Sequence, residues 1–314
     1  MRRALIALLV LVVVAAAVAV VLRWPADDGV PSAAVKGEPW RCAAPCDRFA
    51  IAWGGDTFLG WAAVREIEKR GMPAVLSHAR TLIAADYSIV NVESPWTTLG
   101  KGEAPDDPNN FYSYNADPKT AADLAAIGVD TVGLANNHTF DRGSQGVLDS
   151  IAAAQAAGMA AFGTGADEDA AGAPLLVETP HGTVGVVAMA TGKSGAVGDG
   201  KAGYYRATEE SARAGVLRAK AAGARWVVAY VHWGENYAPV HKRQVRFARV
   251  LAEAGYDLVV GHGPHLAQPV AVVDGVPVIY SLGNFAFHTK GRFKKIGVPS
   301  ESYTAVTFLG PEGF

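Results

Sequence analysis

The sequence predicts an α/β fold in which mixed β-sheets pack as a sandwich flanked by helices, carried behind an N-terminal transmembrane helix. Three observations predict it. Apolar strand-like runs alternate with helical segments from residue 48 onward. Two stretches carry antiparallel hairpin signals instead of a crossover, so the sheets are mixed. The chain also opens with a long apolar run preceded by two arginines and followed by less dense positive charge.

That opening run is the first element. Met1-Arg2-Arg3 precedes Ala4 to Leu22, nineteen residues without a charge, Pro or Gly. As a helix the run spans ~28 Å, close to the hydrocarbon thickness of a bilayer. The two arginines favour a cytoplasmic N-terminus. A cleaved signal peptide is the rival reading, given the small residues around Ala15 to Ala19, but its apolar region is usually shorter. Either way the remaining chain is expected outside the cytoplasm, and the uncleaved reading gives a single-pass cell-membrane protein. Residues 1–23 are thus the expected anchor and 24–47 an extended linker, with four prolines and three aspartates. Cys42 and Cys46, the only cysteines, are expected to form a local disulfide in that oxidising compartment. Residues 48–314 remain for the folded domain.

Within it, Arg48 to Trp53 reads as a strand running into Gly54-Gly55-Asp56. A helical pattern over Ala74 to Ala85 leads to the apolar strand Tyr87 to Val92. Pro118 to Ile127 is a helix with Pro in its first turn and Gly128 at its end. The strand Thr131 to Ala135 and a helix from Ser144 to Ala157 follow. Leu175 to Ala190 is a hairpin turning at His181-Gly182. The strand Trp226 to Val231 runs into His232, and His241 to Ala254 places Val245, Ala248, Leu251 and Ala252 on one helical face. Leu258 to Val260 is a strand, and Val270 to Tyr280 a second hairpin turning at Asp274-Gly275. A last strand-like run covers Tyr303 to Leu309.

Short polar clusters follow several of these strands. In an open α/β sheet the loops at the carboxyl ends of the strands build one ligand crevice, so distant clusters can share a pocket. Asp56 alone proves little, since Gly-Gly-Asp after a strand is often only a turn, and its functional reading is an oxygen ligand. Glu93 follows the largely apolar strand Tyr87 to Val92, which puts a carboxylate at the sheet's mouth, and it reads equally well as part of a helix N-cap neighbourhood with Ser94-Pro95. Asn136-Asn137-His138-Thr139-Phe140-Asp141 is more specific: an Asn carbonyl such as that of Asn137 ligates metals, and a neighbouring His138 can donate a proton. His232 followed by Trp233-Gly234-Glu235 is a ligand candidate, with Glu235 expected to orient it. His262 and His265 flank Gly-Pro in one tight loop, which suits a metal. His78, His181, His241 and His288 lack such company and are expected at the surface. Lys290, Arg292, Lys294 and Lys295 form the one basic cluster, read either as a solvated loop or as contact with an anionic substrate. A net charge of −2 offers no field for nucleic acid.

Taken in order, Asn91-x-Glu93-Ser94-Pro95, Asn137-His138-x-x-Asp141, His232-Trp233-Gly234-x-x-Tyr237 and Tyr280-Ser281-Leu282-Gly283-Asn284-Phe285 resemble the CapA family. These are the capsule and poly-γ-glutamate synthesis proteins of bacteria, whose domain looks like a calcineurin-type metallophosphatase. The resemblance runs from about Phe49 to Phe287. It implies that Asp56, Glu93, Asn137, His232 and His265 are metal ligands, with His262 a further candidate and His138 the proton donor beside Asp141. Asn91, Asn284, Lys290 and Arg292 are the expected substrate contacts. The sequence departs from the pattern twice: Phe58 occupies the His position of the metallophosphatase Asp-x-His motif, and Gly263 stands at the middle of a fifth motif that often reads Gly-x-His-Pro-His.

Three readings follow. The first is an extracytoplasmic metal-dependent hydrolase acting on an amide or phosphoester bond of an anionic envelope polymer, using one or two divalent ions of manganese, iron or zinc. The second is a non-catalytic module that holds such a polymer or its membrane synthase subunits. The third is a secreted metallophosphoesterase. The expected partners are therefore the polymer, the synthase subunits and the lipid bilayer, not nucleic acid.

Overall fold

Ten residues of nearly continuous burial, Phe49–Phe58, form β1, the longest strand among the described residues. It is the centre of a sheet completed by β2 (Tyr87–Val92), β3 (Thr131–Gly133), β4 (Ala160–Phe162), β13 (Asn284–Phe287) and β14 (Ala305–Leu309), in the order β13-β1-β2-β3-β4. Strands β2, β3 and β4 follow β1 in parallel. Two strands share its other edge: β14 pairs antiparallel with Phe49 to Trp53, and β13 pairs parallel with Asp56 to Phe58. The computed structural model that shows this describes residues 47–100, 113–192, 194–288 and 291–314. The expected membrane segment, all of the linker but Asp47, the Cys42–Cys46 pair and Lys290 lie outside the described residues. Among the described residues no helix is long and apolar enough to cross a membrane.

A second sheet contains β6 (Leu175–Val177), β7 (Val184–Ala190), β9 (Trp226–His232), β10 (Leu258–His262), β11 (Ala267–Val273) and β12 (Val276–Leu282), in the order β11-β12-β10-β9-β7-β6. Its two antiparallel pairs, β6 with β7 and β11 with β12, are the expected hairpins. Its parallel centre joins β7, β9, β10 and β12. A short antiparallel pair, β5 (Thr164–Gly165) and β8 (Gly203–Tyr204), stands apart.

Strand alternation explains how the layers stack. Ile51, Trp53 and Ile89 of the first sheet meet Val186, Val228, Tyr230, Val260 and Ile279 of the second in one apolar core. The opposite face of the first sheet, with Ala52, Val90 and Val132, packs under α2 (Met72–Val75), α3 (Ala79–Leu82), α4 (Thr120–Ala126) and α5 (Gly143–Ala156). The opposite face of the second, with Val187, Val227, Ala229 and Val259, packs under α7 (Glu209–Ala221) and α8 (Lys242–Ala254). The shorter helices are α1 (Ala62–Arg70), α6 (Glu168–Ala171) and α9 (Arg292–Ile296). The result is a sandwich of two mixed sheets with helices on both outer faces.

Two elements differ from expectation for local reasons. The helix expected over Ala74 to Ala85 is broken into α2 and α3, with Ser77 Oγ bonding back to the Ala74 carbonyl at 3.0 Å in competition with the backbone ladder. The unexpected α7 starts at a capping box between Thr208 and Ser211. Its buried face is built from Ser211, Ala212, Gly215 and Ala219, small residues that leave little hydrophobic period.

Candidate metal centre

The carboxyl ends of the central strands of both sheets converge at one end of the sandwich. At that end Tyr230 donates from β9 to the Gly54 carbonyl of β1 at 2.7 Å, tying the two sheets together. Beside it β1 bulges, with register shifts on either side of Asp56. Gly55 permits this: a Cβ there would sit 1.9 Å from the Gly283 carbonyl oxygen, which accepts from Asp56 N at 2.9 Å. The bulge re-aims the Asp56 carboxylate into the space between the sheets.

Five buried groups from four elements meet there. Asp56 is 0% exposed, Glu93 0%, His232 6%, His262 1% and His265 1%. Asp56 Oδ1 accepts from Asn91 Nδ2 at 2.8 Å and lies 3.4 Å from His262 Nδ1. Its Oδ2 accepts from Gly263 N at 3.1 Å and lies 3.3 Å from His265 Nδ1. Glu93 stands opposite, 3.6 Å from His265, 3.8 Å from His232 and 3.9 Å from His138. Neither Glu93 oxygen has a hydrogen-bond partner, nor does His262 Nε2. His232 Nδ1 and His262 Nδ1 face each other at 3.1 Å, where only one of the two can carry the hydrogen.

Electrostatics follow from that crowding. Burial alone would raise the Asp56 pKa, but His262, His265 and His232 overcome it and hold the carboxylate well below its ordinary value. Glu93 is pushed well above its ordinary value by burial, with Asp56 and Asp141 adding repulsion against the attraction of His265. Burial depresses His232 well below the ordinary imidazole value. Burial also works against charge on His265, yet Glu93, Asp56 and Asn284 raise it to about 9. Buried unpaired charge is expensive unless it is neutralised or coordinates a cation.

Two overlapping donor sets are close enough to hold a metal ion: Asp56 with His232 and His262, and Asp56 with Glu93 and His265. The unpartnered Glu93 oxygens, the free His262 Nε2 and the opposed imidazole nitrogens all suit a divalent cation. Carboxylate and imidazole donors in this mixture fit that group.

Beside this centre lies a His–Asp pair. His138 Nδ1 is 2.7 Å from Asp141 Oδ2, which also accepts from Tyr114 N. His138 Nε2 is the nitrogen turned toward Glu93. The Tyr114 ring stacks on His138 at 3.7 Å, and Phe58 stacks on the other face of Tyr114 at 4.4 Å. Phe58, at the expected ligand position, is thus part of an aromatic wall behind the imidazole. Phe287 continues the wall to His265, at 5.0 Å. Trp61, Tyr237 and His265 all border the centre with positive φ (48°, 59° and 63°). For bulky residues that conformation costs energy and concentrates at functional sites.

Of the residues singled out in the sequence, Asp56, Glu93, His232, His262 and His265 come together, and His138 and Asp141 pair beside them. Asn137 is exposed, and its neighbour Asn136 reaches into the buried network, donating to Asn91 Oδ1 at 3.1 Å and to the Val92 carbonyl at 2.7 Å. Asn91 is spent on Asp56, and Asn284 Oδ1 lies 3.0 Å from His265 Nδ1, so both orient site residues. Glu235 does not orient His232. Gly234, at φ 86°, turns the chain outward, leaving Glu235 3.7 Å from His241. His241 itself caps α8, accepting from Arg243 N. Arg292 lies over the Tyr237 ring at 5.1 Å, and Tyr237 stacks on His265 at 5.3 Å. Sequence reasoning passed over Tyr114, Trp61 and Phe287. Only Phe287 left a signal, as the alternate aromatic of Asn284-Phe285-Ala286-Phe287.

Comparisons with known proteins bear out the family resemblance. The chain is 28% identical over 247 residues to the PGA biosynthesis protein CapA of Bacillus subtilis, covering 77% of this chain and 64% of that protein. It is 31% identical over 215 residues to a probable polyglutamine synthesis accessory protein of Mycobacterium tuberculosis, covering 64% of this chain and 55% of that one. It is 26% identical over 250 residues to the capsule biosynthesis protein CapA of Bacillus anthracis, covering 77% and 60%. The chain therefore spans between 55% and 64% of the length of these curated relatives. Among solved structures it is similar to the calcineurin-like phosphoesterase YfkN from Bacillus subtilis, with a TM-score of 0.45 and 11% identity, over 85% of this chain and 91% of that chain. The profile described as bacterial capsule synthesis protein PGA_cap matches residues 50–289, and the chain belongs to that family.

Proposed function

We propose that this protein is a membrane-anchored, extracytoplasmic hydrolase that takes part in making or processing an anionic capsule polymer such as poly-γ-glutamate. The bond it cleaves is an amide or phosphoester. The observation that carries the reading is the convergence of five buried metal-type donors, with Asp56 common to both donor sets. The names of its relatives, which refer to capsule, PGA and polyglutamine synthesis, support the polymer. The apolar run Ala4 to Leu22 supports the anchor.

Asp56, Glu93, His232, His262 and His265 would hold the divalent ion or ions, with Asn137 as a further oxygen donor. Manganese, iron or zinc suits the donors better than magnesium or calcium. Such an ion supplies Lewis-acid polarisation of the scissile group. The chain's own residues do the rest. Asn91, Gly263 N and Asn284 fix the orientation of Asp56 and His265. Asp141 fixes the orientation of the His138 ring, whose Nε2 delivers the proton to the leaving group, a contribution of roughly 10²–10⁴-fold in rate. Phe58, Tyr114 and Phe287 wall off water behind the two imidazoles.

Metal analysis of purified protein tests this. After incubation with manganese, iron or zinc, the wild type retains metal and the His232→Ala and His265→Ala variants retain less. His138→Ala keeps the metal and loses turnover of γ-glutamyl or phosphoester substrates. A wild type that stays metal-free overturns the hydrolase. Phe58 at a ligand position favours a second reading, a polymer-holding module, and metal retention without turnover of either substrate class selects it.

A further inference from the structure

Positive charge in this chain is concentrated in one stretch of the sequence. Residues 236–300, which supply His262, His265 and Asn284, contain eight Lys and Arg against three Asp and Glu, although the whole chain has net charge −2. Within α9, Arg292, Lys294 and Lys295 are exposed around the buried Phe293. Among the described residues none of these three forms an ion pair with a carboxylate. By contrast, on α7 Arg213 is paired with Glu209, Arg218 with Asp169, and Lys220 is bonded to the Arg225 carbonyl.

The basic segment is joined physically to the site. Phe293 packs edge-on against Tyr237 at 5.4 Å, Arg292 covers the same ring at 5.1 Å, and the ring stacks on His265 at 5.3 Å. Tyr237 is held in place by its backbone N–H, which donates to the Pro264 carbonyl at 2.8 Å, one residue before His265. A column therefore runs from an exposed guanidinium through an aromatic ring to a buried ligand-type imidazole. Unpaired cations at the mouth of a cleft attract anions and raise their local concentration.

We infer that Arg292, Lys294 and Lys295 form the docking face for an extended polyanion, which is led past Tyr237 to the His265 side of the centre. The inference rests on the anionic-polymer reading for the direction of travel, but the docking itself needs neither metal nor turnover. The partner is a flexible chain bearing repeated carboxylates, engaged by spaced point charges with no single fixed pocket.

The test uses the full chain in detergent with EDTA present and fluorescein-labelled poly-L-glutamate of about 50 residues, followed by fluorescence anisotropy. The wild type binds at low salt, and binding weakens as salt rises. Arg292→Gln/Lys294→Gln/Lys295→Gln binds about tenfold more weakly, three exposed contacts each contributing a small factor. A charge-matched variant on α7, Arg213→Gln/Arg218→Gln/Lys220→Gln, binds like the wild type. No wild-type binding, or equal loss in both triple variants, overturns the inference. So does an α9 variant that keeps polymer binding but loses binding to phosphatidylcholine vesicles containing phosphatidylglycerol, which would assign the face to a membrane surface. With chelator present throughout, a metal-free or inactive wild type leaves this result readable.

Discussion

Replacing Gly263 with Ala probes how tightly the backbone is drawn around the centre. Gly263 has φ 114°, a region that L-residues rarely occupy, and its N–H reaches Asp56 Oδ2 at 3.1 Å. A Cβ there would lie 2.7 Å from the Trp233 carbonyl oxygen and 3.1 Å from His232 Nε2. Backbone strain alone costs on the order of 1–3 kcal/mol. Forcing a methyl into a filled site adds about 1–3 kcal/mol. The expected loss is therefore about 4 kcal/mol, read as the shift of the urea midpoint followed by circular dichroism. Gly275→Ala is the control, because its φ of 88° is also positive while nothing lies within 4 Å of the added carbon. That variant should show only the strain, about 1–2 kcal/mol. Equal losses in the two variants would refute the claim that close approach to Trp233 and His232 excludes a side chain at 263. The same geometry explains why this chain cannot carry the family's frequent middle histidine without moving the loop; beside His265 its second imidazole stands at 262 instead.

Two further outcomes follow from the buried network. Asn136→Ala orphans His138 N, Asn91 Oδ1 and the Val92 carbonyl, so urea denaturation should show a loss of about 2–3 kcal/mol. The exposed Asn137→Ala should stay within about 0.5 kcal/mol, and unchanged metal content in that variant would remove Asn137 from the proposed donors. In the metal-free protein the folded pKa of His265, about 9, lies above its ordinary value. Its stabilisation is complete below about pH 6.5 and lost as pH rises through about 9, so chelated wild type should lose more stability over that window than chelated His265→Gln. Identical pH slopes for the two proteins would contradict the protonated His265.

The parts of the fold that were legible in the sequence are those where one physical signal dominated. Tyr87 to Val92 is a mostly apolar, β-branched run and became β2 without a shift of boundary. Asp274-Gly275 turned the second hairpin as its chemistry requires, with both residues at positive φ. The helix α7 was hidden because its contact face is made of Ala, Ser and Gly, which pack closely but carry almost no hydrophobic period. β13 was hidden for a different reason: only its placement beside the C-terminal half of β1, after the turn at Gly283, makes Asn284 to Phe287 a strand.

The site divides along the same line. Asp56, Glu93, His232, His262 and His265 were legible because each is a chemically conspicuous residue directly after an apolar strand, and parallel strands deliver such residues to one edge. Their supports were not. Tyr114 touches both members of the His138–Asp141 pair, its ring on the imidazole and its N–H on the carboxylate, yet it sits in a segment with no period. Which of two adjacent asparagines turns inward depends on the loop's path after β3, and Thr139 sets it by accepting from Asn136 N at 3.0 Å. Glu235 reads as a partner of His232 only if the strand continues past it, but β9 ends at His232 and Gly234, at φ 86°, turns the chain. Residue chemistry thus predicts which groups a metal would want, while the loop backbone decides which neighbours hold them there.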